Sequence, residues 1–140
     1  MGLDIQPNTS VCYLGAFTGS TGTELPCFVP EVAVRIVAIY LIDITGVTAN
    51  GTNYGTATVT NKGTTGSGTA SVASRATDTT STDDIDSFAS WAITLSTTQA
   101  NLEIAAGEAL AFKWTEAGTG QDLGGAAVAV HYAIGSGAGA

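Results

Sequence analysis

Thirteen consecutive residues from Val32 to Ile44, VAVRIVAIYLIDI, hold one arginine, one aspartate and otherwise only Ala, Val, Ile, Leu and Tyr. β-Branched residues dominate the run, which favours strand over helix. Extended, it would span roughly 40 Å, well beyond a typical strand. Strict alternation puts Val32, Val34, Ile36, Ala38, Tyr40, Ile42 and Ile44 on one face. Ala33, Arg35, Val37, Ile39, Leu41 and Asp43 fall on the other. Both faces are apolar in the middle, so the strand is expected to be covered on both sides, by a second sheet and by a neighbouring subunit. Val37, Ile39 and Leu41 are therefore candidate subunit-interface residues.

The rest of the chain reads as strands cut by turns. Residues 1–10 are polar with Pro7 and Asn8, an extended arm that is either loose or docked on a partner. Residues 10–18 alternate, and residues 25–29 form a short edge strand, because Pro26 cannot donate to a ladder. Asn50-Gly51 is a hairpin signal, so residues 53–61 are expected to return beside the long central strand. Residues 69–76 follow as a strand of small residues, 88–95 as a strand with Ala89, Trp91, Ile93 and Leu95 on one face, and 101–105 as a short strand, with room for one helical turn only within 97–106. Residues 108–115 put Leu110, Phe112 and Trp114 inward, and residues 126–134 close the fold with Val128, Val130, Tyr132 and Ile134. The whole predicts an all-β chain: a single-domain antiparallel β-sandwich of about eight strands, jelly-roll-like. The antibody Cys-Trp-Cys framework is absent. The domain spans 11–134, after the arm 1–10 and before a flexible Gly/Ala tail at 135–140.

Composition narrows the function. Four basic residues face twelve acidic ones across 140 residues, a net charge of -8. That balance argues against nucleic acid and against anionic membrane surfaces as partners. Charged residues make up only 11% of the chain, which suits a surface partly covered by neighbours in an assembly. The N-terminal residues lack a basic and an apolar region, so no secretory signal is read and synthesis in a cytoplasm is expected. Cys12 and Cys27 could close a loop of about 15 residues. A cytoplasmic origin favours two reduced thiols instead.

Candidate chemistry is sparse. His131 is the single histidine, read as a partly exposed or subunit-interface residue rather than a triad base; where copies of it met near an axis it would be a pH-sensitive contact. Asp78, Asp83, Asp84 and Asp86 form an acidic loop without an EF-hand pattern, read as solvated rather than cation-binding. Glu103 with Glu108 or Glu116 could pair as carboxylates, but nothing selects one pair. The Gly-rich loops at 62–68 and 116–125 carry no GK[ST] and open no helix. Among the aromatic residues, Tyr54 is the expected exposed ring. No catalytic, cofactor or metal site is expected, and the chain reads as a structural or binding protein rather than an enzyme.

The run Val32–Ile44, the stretch NYGTATVTNKG at 53–63 and LEIAAGEALAFKWTEAGTGQDLGGAAVAVHYA at 102–133 resemble small structural proteins of tailed-bacteriophage heads. The resemblance implies a capsid decoration, or cement, protein. Its partner would be the major capsid protein, its oligomer a homotrimer, and its location the outer surface of the virion shell after synthesis in the host cytoplasm. The arm, with Leu3, Asp4, Ile5, Gln6 and Pro7, would be its capsid-docking element. The alternative is a receptor- or glycan-binding domain of a tail fibre or spike.

Overall fold

The computed structural model describes residues 8–19, 22–80 and 82–134. The arm residues Leu3, Asp4, Ile5, Gln6 and Pro7 and the tail at 135–140 lie outside these. Among the described residues nine strands run β1 (Asn8–Phe17), β2 (Leu25–Phe28), β3 (Val34–Asp43), β4 (Gly55–Asn61), β5 (Ala70–Ala76), β6 (Trp91–Ala92), β7 (Glu103–Ile104), β8 (Leu110–Glu116) and β9 (Leu123–Ile134). One 3-10 turn at Gln99–Leu102 sits between β6 and β7. Asn8, Thr9 and Ser10, assigned to the arm by composition, belong to β1.

All pairings are antiparallel. The first sheet has the order β1-β9-β3, with β6 and β7 both on the far edge of β3; the second has the order β2-β8-β4-β5. Together β6 and β7 fill one strand's place. With that count, every connection except the β4–β5 hairpin crosses between the sheets, which is the jelly-roll arrangement. The expected hairpin between the central strand and residues 53–61 does not form. Both edges of β3 are taken, one by β9 and the other by β6 and β7, so the chain after Asp43 crosses to the second sheet. Asn50 does make a turn: its side-chain oxygen accepts from the Thr52 and Asn53 amides at 2.8 and 2.7 Å. It is a turn within a crossing connection.

The core is sealed by Leu110, Phe112 and Trp114 of β8, by Val128 and Val130 of β9, and by β3. Trp114 lies against Gly55, where a Cβ would stand 1.9 Å from the indole, and its ring nitrogen donates to the Gln121 carbonyl at 3.1 Å. Only glycine lets the backbone approach the ring this closely.

The central strand departs from strict alternation. Ile36 pairs with Tyr132 and Ala38 with His131, so two steps on β3 match one on β9. Val37 is the extra residue of a β-bulge, and a bulge exchanges the faces of the residues after it. Val34 and Ile36 point inward before it; Ile39, Leu41 and Asp43 point inward after it. The strand reads as apolar on both faces because its inner face changes parity midway. Strand β1 does the same at Gly15, φ +83°: Cys12 and Leu14 pack on the core before it, and Phe17 after it.

One side of the sandwich is closed by a single segment. The Ile93 amide bonds to the Ile39 carbonyl of the first sheet at 2.9 Å. The Thr94 carbonyl then accepts from Ser74, and the Ser96 amide donates to Val72, both on β5 of the second sheet. Arg75 spans the same side. Its guanidinium lies 4.4 Å from the Trp91 ring centroid, donates to the Ala92 carbonyl and pairs with Asp83 at 2.8 Å. The opposite side is bounded by β1 and β2, each paired with one strand only among the described residues.

Candidate functional site

The bulge decides which candidate interface residues reach the surface. Ile39 and Leu41 have no exposed surface and belong to the chain's own core, which corrects their reading as subunit contacts. Val37 is 49% exposed. His131 is half-buried on the outward side of the first sheet, its ring edge-on to Tyr40 at 5.2 Å between centroids.

Register then builds the outward face of the first sheet row by row. Thr9, His131 and Ala38 lie side by side; so do Val11, Ala129, Tyr40 and Ala92; so do Tyr13, Ala127 and Ile42. Small alanines on β9 form a trough between larger side chains on β1 and β3. No Asp, Glu, Lys or Arg stands in these rows. Charge returns only one row beyond, where Arg35 faces Glu103 and donates to the Gln99 side chain.

A buried aspartate shapes one end of this face. Asp43 has no exposed surface. Its carboxylate accepts from the Gly125 amide at 2.9 Å, the Thr45 hydroxyl at 2.8 Å and the Gly46 amide at 2.9 Å. Three donors compensate a carboxylate withdrawn from water. The Asp43 carbonyl also accepts from the Phe88 amide at 2.8 Å, and the Ser87 hydroxyl donates to the Ile44 carbonyl at 2.6 Å. Phe88 is held at φ +62° with its ring 72% exposed. A phenylalanine in left-handed backbone is strained, and such strain persists only where surrounding contacts fix it. Ile44 and Tyr13 flank Gly125: a Cβ there would stand 3.0 Å from one and 3.2 Å from the other. Tyr13 is 70% exposed. Tyr54, expected to be the exposed ring, is half-buried instead.

The other candidate groups are dispersed. Asp83 accepts from Arg75 and from the Thr79 amide, and the Arg75 hydrogen bond holds its carboxyl below the usual range. Asp84 accepts from the Ala49 amide instead, so the acidic loop turns its carboxylates to different partners. Among the described residues no three metal-ligating side chains converge. Glu108 accepts from Asn61 and from the Ala105 amide. Glu116 meets Asp122 rather than another glutamate. Burial pushes its carboxyl up to about 7, and the Asp122 carboxyl adds to the rise. The thiols of Cys12 and Cys27 are both free. Burial pushes the Cys27 thiol up to about 12, with Cys12 nearby adding. Among the described residues no helix is long and apolar enough to cross a membrane.

Sequence reasoning misses the face because it depends on register: which alanine stands beside which tyrosine is set by two bulges. Asp43 is legible in the sequence only as a charge at a strand end. Compared with known proteins, the chain matches no family model, no curated protein and no solved structure.

Proposed function

We propose that this chain is a structural docking module that binds a protein surface through the outward face of its first sheet. The carrying observation is the charge-free patch formed by Val11, Tyr13, Tyr40 and Ile42 around the alanine trough, in a chain of net charge -8. A contiguous apolar patch of this kind marks an interaction site. The resemblance to phage head proteins names the surface: the outer side of a capsid shell built from the major capsid protein. On this reading the chain is a decoration protein that stabilises the shell as a homotrimer, without catalysis. Jelly rolls serve many functions, so the fold adds no more than compatibility.

The test is co-sedimentation with heads assembled without the chain, comparing the wild type with Tyr13→Asp. The wild type should pellet with the heads, and the variant should stay in the supernatant. A wild type that never pellets overturns the reading. A second reading, a receptor- or glycan-binding domain, is favoured by the exposed Tyr13 ring beside the trough, because such rings stack on sugars. Binding on a glycan array that Tyr13→Ala abolishes would select it.

A further inference from the structure

The open side of the sandwich holds a cleft of about 640 Å³, within the range of about 300–1,000 Å³ that encloses ligand-sized groups. Val11, Val29, Val32 and Ile134 stand exposed around it, and Phe28 and Tyr132 pack in it with ring centroids 4.9 Å apart. Its single carboxylate is Glu31, and it contains no base. Val11 is 66% and Val29 56% exposed, so this apolar surface is left uncovered by the described residues. The flanking strands β1 and β2 each have an edge unpaired by any other described strand. An apolar cleft between two strand edges accepts an extended segment, whose backbone bonds to an edge while alternate side chains fill the cleft.

The chain carries such a segment. Residues 1–7 read Met-Gly-Leu-Asp-Ile-Gln-Pro. Met1, Leu3, Ile5 and Pro7 alternate with Gly2, Asp4 and Gln6, which gives an extended chain one apolar side and puts Asp4 on the other. At about 3.3 Å per residue the segment reaches roughly 23 Å. It joins β1 at Asn8, opposite Tyr132 of the cleft.

We propose that residues 1–7 of one copy occupy this cleft in the next copy. Folding back into the same copy is disfavoured by the junction. A two-residue reversal before Asn8 would use Gln6 and Pro7 as its central residues. The tight hairpin turns need a positive φ at the first of these or at both, and proline is fixed near −65°. A residue before a proline is also biased toward extended backbone, which disfavours the positive φ that the remaining tight turn needs at its first central residue. A longer reversal would consume the apolar residues that fill the cleft. The contact is head-to-tail, and such contacts close into rings when the rotation permits. The resemblance gives these residues to a capsid shell; the alternation and the cleft give them to a neighbouring copy. The cleft shares Val11 with the outward face of the first sheet, but Val29 and Val32 belong to the cleft alone, so Val29→Asp tests this contact separately from docking by that face.

Cysteine trapping tests it, because Cys12 lines the cleft. One chain carries Ile5→Cys with Cys12→Ala and Cys27→Ala. The other keeps Cys12 and carries only Cys27→Ala. The two are mixed with glutathione disulfide, which accepts two electrons and two protons as the two protein thiols join. A covalent heterodimer is expected. A single chain with Ile5→Cys, Cys12 and Cys27→Ala should link between copies and not within itself. A link within one copy, or no link in either experiment, overturns the proposal. Light scattering gives an independent readout. A chain beginning at Asn8 should fall to the monomer mass, and Val29→Asp, at a surface position, should weaken self-association about tenfold or more. An unchanged oligomer in both variants overturns the proposal.

Discussion

The two sheets show water opposite faces. The second sheet turns outward Thr56, Thr58 and Thr60 of β4, Ser71 and Ser74 of β5, and Lys113 and Thr115 of β8. In its middle rows the first turns outward valine, tyrosine, isoleucine and alanine, with Thr9 and one histidine beside them and charge only in the row of Arg35 and Glu103. Both sheets bury the same kind of inner face, so the core does not require the difference. A polar outer face is what an antiparallel sheet ordinarily shows to solvent. The apolar one costs solubility and favours association, which is the basis of the docking role proposed for it.

The largest test of this contrast asks which residues of β3 belong to which face. Ile39→Ala should destabilise the chain by about 2–5 kcal/mol in chemical denaturation, as a core truncation does. Val37→Ala should cost under about 0.5 kcal/mol. Equal losses would mean that the bulge is misplaced and the outward face wrongly composed.

Next in size is a direct exchange of charge between the faces. Tyr13→Asp should weaken docking at least about tenfold, because it puts an unpaired carboxylate into an apolar contact. Ser74→Asp, exposed on the second sheet, should leave docking unchanged. Equal effects would remove the distinction between the sheets.

Phe88 separates scaffold from surface. Phe88→Gly relieves a left-handed phenylalanine and should raise stability by about 1 kcal/mol. Docking should weaken at the same time if the ring belongs to the covered surface. A variant more stable and equally competent would confine that surface to Val11, Tyr13, Tyr40 and Ile42.

The smallest effect lies away from both outer faces. In the folded chain Glu116 titrates at about 7, above its ordinary 4.5. A raised carboxyl favours the protonated form on folding. Its contribution is therefore fully present below pH 4.5 and is lost as pH rises through about 7. The melting temperature should fall over that window in the wild type and more shallowly in Glu116→Gln. Docking should be the same in both.

The sequence carries the layers of this fold better than its pairings. Leu110, Phe112 and Trp114 follow an uninterrupted period of two, so their inward placement is legible from the residues alone. Pro26 marks an edge strand for the simple reason that it lacks an amide proton. The pairing of β4 is not legible, because Asn50-Gly51 specifies a turn and says nothing of which edges remain free. Strict alternation puts Ile39 and Leu41 on the wrong face for a related reason: a bulge at Val37 has no glycine to announce it. Glu116 and Asp122 stand six positions apart across a glycine-rich loop, and only that loop's path brings them together.

The segment that bonds in turn to Ile39, Ser74 and Val72 has a consequence for motion. It fastens the sandwich along one side only, so thermal opening should be directional. Amides of β1 and β2 should exchange with solvent ahead of those of β3 and β5, since opening the fastened side breaks bonds to both sheets at once. The chain would then breathe like a hinged body whose mouth is the side on which its apolar cleft lies.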